Sequence, residues 1–181
     1  MAALTTSPDP RFLDAADRIA AQLCRDAIWA GDACNWLGPR EVPGADGPLV
    51  AYCAGGADLY AGTSGIALFL GQIYALTGEP RYRRTATGAV RQALAYYTTI
   101  PPAERIGFYT GWPGVAWALT RLAHLCDTPA WTEAAQRIAY TLVHGLDRQG
   151  SLPMLDVIGG AAGAIAALLS LYAATGQGFL I

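Results

Sequence analysis

Hydrophobic positions along this chain fall into two alternating textures. One is apolar nearly all round. Residues 66–76, 115–126 and 164–175 hold only Gln72, Arg121 and His124 as strongly polar breaks, and a helix apolar on every face is expected to be buried on every face. The other texture is one-sided. Tyr82, Ala86, Ala89, Val90, Ala93, Leu94 and Tyr97 recur at helical spacing, as do Trp131, Ala135, Ile138, Ala139, Leu142 and Val143. Arg81, Arg84, Arg91, Glu133, Gln136 and Arg137 lie mostly off these stripes. The second texture predicts amphipathic outer helices, each opening on a proline with Glu79 or Thr128 ahead of it as cap. Upstream, Asp9-Pro10 predicts a helix start. Phe12, Ala16, Ile19, Ala20, Leu23 and Ala27 then form one more stripe, ending before Gly31. Residues 32–56, rich in Gly and Pro, read as a long loop with room for a short hairpin, and no long strand pattern is present.

The two textures repeat. "DLYAGTSGIALFLGQIYALTGEPRY" from Asp58, "GFYTGWPGVAWALTRLAHLCDTPAW" from Gly107 and "DVIGGAAGAIAALLSLYAATGQGF" from Asp156 align without gaps. Gly62, Gly111 and Gly160 are 49 residues apart, and so are Gly65, Gly114 and Gly163. A single G-x-x-G is a weak signal, whereas three in strict register, each opening an apolar run, define a repeat. Units therefore begin near 58, 107 and 156, and the third is incomplete. The expected fold is all-α, with about six helices in an inner and an outer layer over a single domain, 1–181. Such pairs either continue as a solenoid or close into an α/α ring, and wholly apolar inner helices favour the ring.

Composition narrows the function classes. Apolar residues make up 53% and charged residues 14%, well below the charged share of about 25% in average domains. So little charge implies that part of the surface is normally covered. The net charge of −2 gives no electrostatic case for nucleic acid or an anionic membrane. All twelve basic residues are Arg, a coding bias of GC-rich bacterial type that carries no mechanism. The third inner run is too short and too rich in Ala and Gly for a membrane span, and the N-terminus lacks the pattern of a signal peptide, so a cytoplasmic protein is expected. Cys24, Cys34, Cys53 and Cys126 form no C-x-x-C pair and have no neighbouring His. They read as free thiols, and no metal site is expected in this chain. No Lys follows the glycine pairs and no strand precedes them, which excludes a phosphate loop. The glycines are expected to serve tight turns and close backbone approach.

Asp156 stands four residues before Gly160, as Asp58 stands before Gly62 and Gly107 before Gly111. On periodicity alone both acids read as structural, satisfying N–H groups at a helix start.

The stretches "DLYAGTSGIALFLGQIY", "GFYTGWPGVAWAL" and above all "LDVIGGAAGAIAALL" resemble the lanthionine synthetase C-like proteins, from about Ile19 onward. The resemblance implies a toroid of seven inner and seven outer helices. It implies an activity in which a Cys thiol adds across dehydroalanine or dehydrobutyrine of a precursor peptide, closing a thioether ring. Zinc held by a Cys and a Cys-His pair activates the thiol in the family. An Asp of an Asp-Val-x-x-Gly motif and a later His act near the proton transfers. Asp156 matches that Asp, so the resemblance makes it the candidate catalytic residue.

This chain departs from the pattern at the metal. It has no Cys-His pair, and His144-Gly145 is followed by "LDRQG" rather than the family's glycine pair. His144 reads as a surface or packing residue and His124 as a core-lining one. The resemblance thus implies the N-terminal portion of a cyclase-like protein, or a truncated product, inactive alone and prone to self-association through exposed inner-helix faces. Two other readings stay open: a non-catalytic helical-repeat scaffold, and a glycoside-processing toroid with Asp58 and Asp156 as its only candidate carboxylates.

Overall fold

The structure, a computed structural model, describes residues 10–45, 47–146 and 154–180. Helix α1 (Pro10–Asp26) leads into two antiparallel hairpins, β1 (Ile28–Ala30) with β2 (Ala33–Asn35) and β3 (Leu37–Val42) with β4 (Leu49–Ala54). Then follow α2 (Thr63–Thr77), α3 (Pro80–Tyr96), α4 (Trp112–Leu125), α5 (Ala130–Leu146) and α6 (Ala161–Thr175). The fold is all-α in character. The hairpins are the one departure, replacing most of the expected loop.

The inner helices α2, α4 and α6 stand side by side, with α4 between the other two. The outer helix α3 packs on α2, and α5 packs on α4. Each outer helix buries most of the stripe read from sequence, with Leu94, Tyr97 and Val143 half-buried. Tyr82, Ala86, Ala89, Val90 and Ala93 face inward from α3, and Trp131, Ala135, Ile138, Ala139 and Leu142 from α5. Leu70, Leu119, Leu122 and Leu171 of the inner helices meet them in one core. Gly71 lets α2 approach α4, because a Cβ there would run into Leu122.

Several local expectations are corrected. The inner helices begin three residues earlier than the apolar runs suggested, directly after the first glycine of each pair. Glu79 occupies the N-cap position of α3, but its side chain makes no capping bond. The Thr128 hydroxyl donates to the Cys126 carbonyl instead of capping α5. Helix α1 does open at Pro10; Asp9 lies outside the described residues. Phe12 and Ile19, on its predicted apolar face, are exposed, whereas Ala20 is buried. His124 lies near the C-terminal end of α4 and is exposed, lining a cleft of about 610 Å³ with Arg121, Asp127 and Ser170. It does not line the core, because its helix face turns outward just before the chain reverses at Asp127.

Helix α6 is apolar all round yet buried on one side only. Ala164, Ala167 and Leu171 are buried, while Ile165 and Leu169 are more than half exposed. The apolar tail folds back, with Leu180 buried and Phe179 edge-on to Tyr140. No described helix is long and apolar enough to cross a membrane.

Candidate functional site: the turn layer

The three turns ahead of the inner helices share one backbone design. In each, the first helical N–H donates to a carbonyl seven residues upstream: Thr63 to Gly56 at 2.8 Å, Trp112 to Arg105 at 2.9 Å and Ala161 to Met154 at 2.7 Å. This backbone acceptor does the work that side-chain caps do elsewhere. It also explains the first glycine of each pair. A Cβ on Gly62, Gly111 or Gly160 would collide with that capping oxygen. These glycines have φ near −116° to −120°, so space rather than backbone twist excludes other residues.

The second glycine answers to a different carbonyl. A Cβ on Gly65, Gly114 or Gly163 would meet the oxygen of Leu59, Phe108 or Val157, each six residues upstream. The loop therefore lies directly on the first helical turn. That is why the helix can begin before the second glycine rather than after it.

Asp156 closes the third turn. Its Oδ1 accepts from the N–H groups of Ile158 at 2.7 Å and Gly159 at 2.8 Å. The carboxylate therefore braces the turn ahead of the helix and does not cap α6, whose N-cap is Gly160 with no side-chain bond. Asp156 is exposed, as are Met154, Leu155, Val157 and Ile158 around it. Asp58 plays the matching part in the first turn, where Oδ1 accepts from Ala61 N–H at 2.8 Å. The second turn has Gly107 at this position. A Cβ there would come within 2.9 Å of the Gly159 Cα and 3.0 Å of the Ile158 oxygen. The packing of the third turn on the second thus leaves no room for an acid.

The turns are joined edge to edge. Leu59 and Tyr60 N–H donate to the Tyr109 carbonyl at 3.1 and 3.0 Å, and Tyr109 N–H donates to the Ile158 carbonyl at 3.0 Å. Tyr60, Tyr109 and Ile158 are themselves 49 residues apart. The layer brings the Asp156 turn against the Tyr109 turn and sets the Asp58 turn on its far side. Phe108 stacks edge-on with Tyr109 and Trp117, at centroid distances of 4.9 and 5.6 Å. The register of Tyr60 with Tyr109 was visible in the sequence, but a backbone role leaves no residue-type signal.

Thiols and imidazoles lie elsewhere. Cys34 is buried against the Thr85 carbonyl, and burial, with Cys24 adding to it, pushes its thiol up to about 12. Burial also raises the Cys126 thiol, against a smaller opposing effect of Arg83. His144 stacks on Tyr140 at 3.9 Å. Among the described residues no group of three or more His, Cys, Asp or Glu is placed to hold a metal. The described donors do not by themselves make up the zinc site that the sequence resemblance implies.

An arc of helical hairpins, closed at one end by a layer of glycine-pair turns, is the architecture of an α/α toroid. The family model for lanthionine synthetase C-like proteins matches residues 54–179. The chain belongs to that family, and the match covers all three turns, Asp156 and the five helices from α2 to α6. A comparison with curated proteins gives no match.

Proposed function

We propose that this chain supplies the turn layer and the acidic residue of a lanthionine-forming peptide cyclase, with thiol activation coming from groups outside the described residues. The observation that carries the reading is Asp156. It is an exposed carboxylate, fixed by two backbone N–H groups, in the position of the family's Asp-Val-x-x-Gly aspartate. Addition of a thiolate to a dehydroamino acid leaves an enolate that must take up a proton. A positioned carboxylate can orient the proton donor or relay the proton itself. Met154, Leu155, Val157 and Ile158 give the precursor peptide an apolar surface beside that group. The uncovered face of α6 gives a route to self-association.

The test uses the intact chain with a dehydrated peptide carrying one Cys and one dehydroalanine. Amide chemical shifts should show the peptide perturbing Ile158 and Gly159. Mass spectrometry after thiol alkylation should show no ring closure above the spontaneous rate, with or without added zinc. Peptide that leaves the turn layer unperturbed would make the chain a scaffold. Ring closure by the chain alone would overturn the assignment of thiol activation to other groups.

A further inference from the structure

Helix α3 carries four of the chain's twelve arginines, at Arg81, Arg83, Arg84 and Arg91, and no acid in its 17 residues. For a chain of net charge −2 this is a concentrated positive strip. Three of the four border an open groove of about 530 Å³ between α3, the β1–β2 hairpin and the start of α5. Trp29 and Trp131 line the groove with Arg83, Arg84, Arg91 and Asp32.

The arginines are held in different ways. Arg83 donates to the Cys126 carbonyl at 2.7 Å and is tied to the frame. Arg91 pairs with Asp32 at 3.0 Å, both side chains being at least half exposed. Arg84 lies over the Trp29 ring, 5.1 Å from its centroid, and among the described residues no carboxylate pairs with it. Stacking on an indole limits the motion of a guanidinium while leaving its N–H edge available for a bidentate acceptor. The groove thus offers a pre-oriented cation at Arg84 and a second, half-exposed one at Arg91, which Asp32 holds through both its carboxylate and its main-chain carbonyl at 3.2 Å.

We propose that this groove binds an acidic peptide segment in extended form. Arg84 and Arg91 are seven residues apart, about 10 Å along a helix at 1.5 Å per residue. Three residues of extended chain cover about the same distance, so carboxylates about three residues apart meet the two guanidiniums. Trp29, partly exposed beside Arg84, takes an apolar side chain next to them. Two separated cations favour a chain bearing several acids over a single free anion. The chain's negative net charge disfavours a nucleic acid, whose binding draws on phosphate contacts along a longer track.

The test is fluorescence anisotropy on the intact chain at low salt. The probe is a labelled peptide with Glu residues three apart among Ala and Leu, against a matched peptide with Gln in their place. The Glu peptide should bind and weaken as salt rises, and the Gln peptide should bind about tenfold more weakly or not at all. Arg84→Glu with Arg91→Glu should cost at least about tenfold, whereas Arg18→Glu on α1 should change binding by less than about twofold. Arg84→Gln removes one charge with little change of size and should give an intermediate loss, so the proposal stays testable if the double variant misfolds. Undiminished binding by a folded Arg84→Gln or double variant would overturn the proposal. So would equal binding of the two peptides, displacement by low concentrations of inorganic phosphate, or tighter binding of a single-stranded oligonucleotide.

Discussion

The backbone N–H of Tyr109 donates to the carbonyl of Ile158 at 3.0 Å, and the two residues occupy the same position in consecutive repeats. The Tyr109 carbonyl in turn accepts from Leu59 and Tyr60. Adjacent repeats are therefore joined twice, once through side chains between inner helices and once through backbone between turns. The second joint sets the lateral position of the Asp156 turn.

That joint makes the glycine pairs sensitive to a single methyl group. Gly114→Ala puts a Cβ onto the Phe108 carbonyl, which is backbone and cannot rotate away. Overpacking of this kind costs about 1–3 kcal/mol or more, and here it also disturbs the turn carrying Tyr109. Gly145→Ala, in α5, meets nothing within 4 Å and should be neutral or stabilise by up to about 1 kcal/mol through helix propensity. Urea denaturation of both variants measures the contrast. Equal midpoints would mean that the turn carbonyls do not constrain position 114.

Much of this frame was legible in the sequence because the repeat fixed which residues were equivalent. The outer-helix stripes, from Tyr82 to Ala93 and from Trp131 to Leu142, are buried as their spacing requires. The helix starts were less legible. A glycine pair signals close approach but not which atom approaches, and the capping acceptors proved to be the main-chain oxygens of Gly56, Arg105 and Met154. The length of the β3–β4 hairpin was less legible for a different reason. Leu37, Leu49, Val50 and Tyr52 are exposed on it, so the alternation of buried and exposed positions that marks a strand is blurred. For the site, sequence singled out Asp156. Its bonds to Ile158 and Gly159 depend on the local path of the turn, which no spacing rule gives.

Asp156→Asn separates turn from charge. The Asn side-chain oxygen can accept from Ile158 and Gly159 as the carboxylate does, so stability should fall by less than about 1 kcal/mol. Asp156→Ala removes the acceptor and should cost more, about 0.5–2 kcal/mol. In a system competent for cyclisation, the proposed role of Asp156 predicts that Asp156→Asn slows ring closure about 10²–10⁴-fold. A parent rate in the Asn variant would leave Asp156 with a structural role only. A stability loss in the Asn variant matching that of Ala would show that the charge itself holds the turn.

Cys34 predicts an alkaline limit to stability. Its thiol is raised from 9.0 to about 12 in the folded chain, so between those values the unfolded state has lost a proton that the folded state keeps. The unfolded state then binds fewer protons, and stability falls as pH rises. The contribution is fully present below about pH 9 and is lost progressively towards pH 12. Burial raises the Tyr82 hydroxyl in the same direction, helped by its bond to Asp17. Urea midpoints measured from pH 8 to 11 should decline, and Cys34→Ala should flatten the decline. A Cys34→Ala slope equal to the parent's would assign the effect to other groups.

The last prediction concerns the free side of α6. The repeat register makes Ala67, Ala116 and Ile165 equivalent, and they are 0%, 2% and 58% exposed. Gly71, Thr120 and Leu169 form the next equivalent row, which passes from buried through half-buried to exposed. In the first unit this face holds the following inner helix, since Gly71 lies against Leu122. In the third unit the same face carries larger apolar side chains with no described residue covering them. At the other end of the arc, Phe12 and Ile19 of α1 are also exposed. Two different apolar surfaces favour head-to-tail contact between copies, which continues unless the geometry closes a ring. The chain should therefore form species that grow with concentration rather than stop at a dimer. Covering Ile165 and Leu169 contributes about 1.5–3 kcal/mol per fully buried side chain, so Ile165→Asp with Leu169→Asp should shift the sedimentation profile towards monomer. A parent chain that sediments as a single monomer at all concentrations, and binds no hydrophobic dye, would show that the α6 face is satisfied within one copy.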